Sequence, residues 1–133
     1  GVAVDAKEEY VYVAETMQRR VLRYRISGSS HLGPAEVYGP ASLGKLGFPD
    51  GIAFDEAGNL WVAFPAANAI GYIDPQGRLE IFIEDPRGSV INRPANICFG
   101  GKDRRTAFIG SLGGTNVPYF EAPHPGMRLV HQK

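Results

Sequence analysis

One apolar sentence is written three times in this chain, and the repetition constrains the fold more than any other feature. Gly1-Val2-Ala3-Val4-Asp5 aligns with Gly51-Ile52-Ala53-Phe54-Asp55 at an offset of 50, and Asn96-Ile97-Cys98-Phe99-Gly100 follows at a further 45. A polar turn succeeds each copy: residues 6–9, 56–59 and 101–105. Each turn leads into a second apolar run: Tyr10 to Ala14, Leu60 to Ala63 and Ala107 to Gly110. Third runs follow at Val21 to Ile26, Ala69 to Ile73 and Val117 to Phe120, and fourth runs at Ala35 to Tyr38, Leu79 to Ile83 and Met127 to His131. Four short strands recurring at such a period are the mark of a β-propeller blade.

The expected fold class is therefore all-β: three four-stranded antiparallel blades, spanning about residues 1–39, 50–84 and 95–132, in one domain. No window sustains apolar spacing at i, i+3, i+4 and i+7. Residues 15–24 come closest to a helix, but Leu22, Tyr24 and Ile26 alternate with Val21, Arg23 and Arg25, which is strand behaviour. The 17 glycines and 10 prolines suit many tight turns. Residues 39–48, the longest insert, read as a loop.

Fourteen basic residues balance fourteen acidic ones. A nucleic-acid binder needs a basic surface that displaces counterions, so that class is not expected. The clusters Arg19-Arg20-Arg23-Arg25 and Lys102-Arg104-Arg105 read as solvated strand and turn faces. No apolar run approaches the roughly 18 residues of a membrane-spanning helix, so no membrane partner is expected. Cys98 is the only cysteine; it reads as a small buried hydrophobe of an inner strand, compatible with a reducing, cytoplasmic setting. His31 and His124 fall in loops and His131 near the C-terminus, without the paired spacing of a zinc site.

Asp50 stands out because it alone places a carboxylate immediately before an inner-strand glycine. In a blade, the loop entering the inner strand and the loop joining the second and third strands open at the same face. That rule puts Glu15, Thr16, Phe64 and Ser111 near the channel mouth with Asp50. Ala95 occupies the place of Asp50 in the third unit and cannot ligate; Asn96, one place further in, could turn its amide to the channel. Ser111 has no histidine at catalytic spacing, which argues against a serine hydrolase.

Gly-Val-Ala-Val-Asp (1–5), Val-Tyr-Val-Ala-Glu-Thr (11–16), Arg-Val-Leu-Arg-Tyr (20–24), Pro-Asp-Gly-Ile-Ala-Phe-Asp (49–55), Gly-Asn-Leu-Trp-Val-Ala (58–63) and Arg-Pro-Ala-Asn-Ile-Cys-Phe-Gly-Gly (93–101) together carry a resemblance. The chain resembles the C-terminal half of the calcium-dependent lactonases, the family of gluconolactonase, the senescence marker protein and luciferin-regenerating enzyme. The resemblance implies a six-bladed propeller whose hub holds a divalent cation, Ca²⁺ first, with Zn²⁺, Mg²⁺ or Mn²⁺ as alternatives. It implies hydrolysis of a sugar lactone or related ester. It assigns Asp50 as cation ligand and as the base that takes a proton from water. The family's ligand asparagine would stand immediately before Gly1, and its ligand glutamate in an earlier blade, so residues ahead of Gly1 are expected in the natural protein.

Three blades leave two open faces, on which Val2, Val4, Tyr12, Val13, Ile97, Phe99, Phe108 and Ile109 are the candidates, according to parity. Several hundred Å² of exposed apolar face would cost on the order of ten kcal/mol at about 25 cal/mol per Å². Either a homodimer closes a six-bladed ring, or a missing N-terminal half does. Two other functions compete: a non-catalytic propeller piece that binds a small molecule or serves assembly, and a metal-free strictosidine-synthase-like propeller.

Overall fold

The computed structural model describes residues 1–28 and 31–132. Its strands form three antiparallel sheets, each laid down in chain order from the inside outwards. The first joins β1 (Val2–Val4), β2 (Tyr10–Glu15), β3 (Arg20–Ser27) and β4 (His31–Tyr38). The second joins β5 (Ile52–Phe54), β6 (Leu60–Phe64), β7 (Ala69–Ile73) and β8 (Leu79–Glu84). The third joins β9 (Pro94–Gly100), β10 (Thr106–Ser111) and β11 (Tyr119–Glu121). The described residues contain no α-helix; residues 16–18 make a single 3₁₀ turn between β2 and β3.

Register shows why the repeat folds as it does. Val2 pairs with Val13, Ile52 with Val62 and Ile97 with Ile109, so equivalent residues of the three units occupy equivalent ladder positions. Side chains alternate across each sheet. Leu60, Val62 and Phe64 of β6 face the first sheet, where they meet Tyr12, Ala14 and Val21 in one buried cluster. Trp61 and Ala63 point the other way, into a second cluster with Ile97, Ala107 and Ile109. The middle sheet is thus apolar on both faces, and all five residues of β6 are buried.

Parity settles which residues the outer faces carry. Tyr12, Ile97 and Ile109, candidates for exposure, lie inside the two clusters at 5%, 3% and 1% exposure. Val2 remains 67% exposed and Val4 36%. Across the outer face of the first sheet Val2, Val13, Leu22 and Val37 lie side by side. Across that of the third lie Cys98, Phe108 and Tyr119, the last 72% exposed.

Three expectations are corrected. Cys98 is exposed, because its parity is opposite to that of Ile97 and turns it to the open face. His31 opens β4, which starts earlier than Ala35. The segment Met127 to His131 is not a fourth strand of the third sheet. Pro123 and Pro125 lack the N–H groups a ladder needs. The chain instead crosses to the second sheet, where Gly126 bridges Asp55 and the Met127 N–H donates to Phe54 O at 2.9 Å; it ends in a 3₁₀ turn over Val130–Gln132.

Candidate functional site

The innermost strands β1, β5 and β9 lie together, β5 between the other two. At one end their first residues nearly touch. The Gly51 N–H donates to Ala95 O at 2.8 Å, across the seam between the second and third sheets. A Cβ on Gly51 would sit 2.6 Å from the Asn96 Cα and 2.7 Å from Ala95 O, so only glycine permits this approach. Within the second sheet Asp50 N–H donates to Ala63 O and Ala63 N–H to Gly51 O, both at 3.0 Å. Asp50 is therefore fixed by backbone bonds at the end of the hub.

Its side chain is half-buried, and among the described residues no group donates a hydrogen bond to its carboxylate. Other acidic side chains in the repeat behave differently. Asp55, one percent exposed, accepts from Asn59 N–H at 2.9 Å, Asn59 Nδ2 at 2.8 Å and Trp61 Nε1 at 2.9 Å. Its counterpart Asp5 accepts from Glu9 N–H at 2.8 Å. Those two carboxylates fasten hairpin turns at the opposite end of the sheets. Sequence reasoning passed over Asp55; its signal was the pairing of Asp with Asn59 and Trp61 inside one hairpin.

The remaining candidates divide. Asn96 shares the hub end with Gly51, but its Oδ1 accepts from the Ile97 N–H of its own strand at 2.9 Å. Glu15 is half-exposed at the end of β2 and pairs with Arg20 Nε at 2.5 Å. Thr16 opens the 3₁₀ turn that follows. Phe64 is fully buried in the cluster between the first two sheets, where it serves packing. Ser111 stands at the bulge where β10 leaves β9, its Oγ buried and without a hydrogen-bond partner. The connection from β8 to β9 is tied to the same end by Asn68, whose Oδ1 accepts from the Arg93 N–H at 2.7 Å.

Among the described residues no cluster of three or more His, Cys, Asp or Glu side chains could hold a metal ion. The donor set does fit a hard cation in kind: a carboxylate at Asp50 and an amide oxygen at Asn96. Hard divalent ions take such oxygens, several at once, with water filling the remainder.

Three sheets packed round a common hub, with the Asp50 carboxylate at one end of it, define part of a β-propeller. The chain belongs to the SMP-30/gluconolactonase/LRE-like family, whose model matches residues 1–113. It is similar to a 6-deoxy-6-sulfogluconolactonase of Pseudomonas putida, with 29% identity over 84% of this chain and 37% of that protein. Its fold is similar to that of a luciferin-regenerating enzyme, with a TM-score of 0.73, 21% identity, and coverage of 97% of this chain and 48% of the other. A calcium-binding protein, regucalcin, from Agrobacterium tumefaciens superposes with a TM-score of 0.69 at 20% identity, over 97% of this chain and 49% of its own. The chain spans 37% to 43% of the length of the curated relatives it matches.

Proposed function

We propose that this chain supplies one side of the active end of a metal-dependent hydrolase acting on a sugar lactone or related ester. Membership of the lactonase family supports the reaction class. The observation that carries the reading is the Asp50 carboxylate: half-buried, held by backbone bonds at the hub end, and given no hydrogen-bond donor by the described residues. A carboxylate so placed is free to ligate. When bound, a divalent cation supplies Lewis-acid polarisation of the ester carbonyl and stabilises the developing oxyanion. Asp50 holds that charge in place and takes a proton from the attacking water. Asn96 Oδ1 accepts one bond from the Ile97 N–H, and its second lone pair would be the one to meet the cation. Ca²⁺ is the ion we assign, by analogy with the calcium-binding regucalcin that shares the fold.

Further ligands, and cover for the two open faces, come from outside these 133 residues. We assign that role to a second copy of the chain in a cytoplasmic homodimer; the remaining length of a longer polypeptide is the competing source. A non-catalytic binding module is the second reading, favoured by the engagement of Asn96 Oδ1 with Ile97.

Calorimetric titration of the full-length protein with Ca²⁺ tests the proposal. Binding with measurable heat is expected, and it disappears in Asp50→Ala. Because Asp50 has no side-chain partner here, that variant keeps its stability to within about 0.5 kcal/mol. Absence of heat in the unaltered protein, or equal binding in the variant, would remove the assignment.

A further inference from the structure

The turn between β9 and β10 carries Arg104, read in the sequence as part of a solvated basic cluster. In the structure its guanidinium is engaged on two sides. Nε donates to Gly126 O at 3.0 Å, and an Nη donates to the Glu56 carboxylate. Its own carbonyl accepts from the Gly126 N–H at 2.8 Å, so Arg104 and Gly126 bond reciprocally. Arg105 adds a bond from Nη1 to Pro123 O at 2.9 Å, and its carbonyl accepts from the Ala122 N–H at 2.8 Å. Past this anchor the chain reaches the second sheet, where Pro125 O accepts from the Glu56 N–H at 2.8 Å. Gly126 is fitted closely enough that a Cβ there would come 2.3 Å from the Phe99 ring.

These bonds form one clamp across the seam between the second and third sheets, at the end of the hub opposite Asp50. The Asp50 end of the same seam is held by the bond from Gly51 N–H to Ala95 O. β5 is only three residues long, so both of its ends need fixing for Asp50 to have one position. We propose that Arg104 is a positioning residue for Asp50, acting through the 122–127 segment and Glu56 to hold β5 against β9. Its relevance to catalysis rests on the cation reading above; the clamp itself does not.

Site-resolved amide hydrogen exchange in the full-length protein tests it, because two neighbouring amides report different things. The Gly51 N–H spans the seam, whereas the Ala63 N–H bonds Gly51 O within the second sheet. In Arg104→Ala, exchange at Gly51 is expected to rise at least tenfold while Ala63 stays within about twofold. Arg104→Lys, which keeps the charge opposite Glu56 but not the fork, restores part of the protection. Glu56→Gln, the milder lesion, raises Gly51 exchange severalfold and serves if Arg104→Ala does not fold. Equal acceleration at both amides, or none at Gly51, overturns the clamp. Ca²⁺ titration of the same variants separates the two ideas. A tenfold weaker Kd in Arg104→Ala supports both. Selective exchange in a protein that binds no Ca²⁺ sinks the cation reading and leaves the clamp, and unchanged Kd with selective exchange overturns the positioning of Asp50.

Discussion

At the scale of single residues, two aspartates five positions apart do opposite work. Asp50 carries a carboxylate at the hub end that accepts no hydrogen bond among the described residues, whereas Asp55 is buried and satisfied by three donors from Asn59 and Trp61. A buried carboxylate with that many donors is a structural fastening, and removing it leaves the donors unmatched in a dry site. Asp55→Ala is therefore expected to destabilise the protein by about 3 kcal/mol. The urea midpoint, followed by fluorescence of Trp61, checks this, since Trp61 is the only tryptophan. Loss of less than half that amount would mean that the indole N–H finds another acceptor. Asp50→Ala is expected to show the reverse pattern, with stability kept and cation binding lost.

At the scale of elements, the shifted titratable groups divide between the seam of the first two sheets and the connections of the second. Tyr38, at the end of β4, donates its O–H to Asp74 O at 3.0 Å from within the cluster between the first two sheets. Burial is the main cause that pushes its phenol from 10.0 up to about 12, with Tyr12 adding to it. The folded state thus resists deprotonation more than the unfolded chain does. This contribution is complete below about pH 10 and is lost between there and about pH 12, at about 1.4 kcal/mol per unit. Tyr38→Phe should be less stable near neutrality by about 1 kcal/mol, for the lost hydrogen bond, and that gap should close and then reverse as pH rises from 10 to about 12. Parallel curves up to pH 12 would show that the phenol does not sense folding. Asp85 works at the acid end. Backbone N–H donors, Val90 first and then Ile91, with the Ser89 hydroxyl, lower its pKa against a smaller opposing effect of desolvation. Its contribution is present above the ordinary aspartate range and disappears as pH falls through its lowered value. The connection from β8 to β9 should then loosen, seen as a lower protection factor at the Val90 amide after correction for the intrinsic rate at each pH, and Asp85→Asn should show the same loosening at neutral pH. The strands themselves were legible in sequence because apolar alternation, turn glycines and a repeated register all pointed one way. The course of residues 122–132 was not, because Met127 to Val130 has strand-like composition and its path is decided by contacts distant in sequence, with Arg104, Arg105, Phe54 and Glu56. Cys98 was misplaced for a related reason: parity within a strand is set by the neighbouring sheet, which local sequence does not contain.

At the scale of the whole molecule, the three sheets use one packing relation twice. The first sheet presents Tyr12 and Val21 to the second, and the second presents Trp61 and Ala63 to the third. The third relation is left open at both ends. Val13 sits on the outer face of the first sheet at the ladder position that Val62 occupies facing the first sheet, so that face is built to receive a preceding blade. Phe108 and Tyr119, whose rings lie 6.2 Å apart, face outward from the third sheet as Trp61 does from the second. The parity of the two end faces matches that of the internal seams, and on the homodimer proposal two copies would close head to tail. Exposed apolar faces of this kind mark interaction surfaces. Light scattering coupled to gel filtration at micromolar concentration should give the 133-residue polypeptide about twice the 14.4 kDa of one chain. Val37→Glu on one face or Tyr119→Glu on the other should each lower that mass to the monomer's, because two-fold symmetry puts either substitution in both seams of the ring. Such a pairing would place two Asp50 carboxylates at one hub, so the monomeric variants should lose Ca²⁺ affinity without a change at Asp50. A monomer in the unaltered polypeptide would exclude the homodimer and leave the remaining length of a longer chain to cover these faces, a source on which neither substitution would alter the oligomeric state.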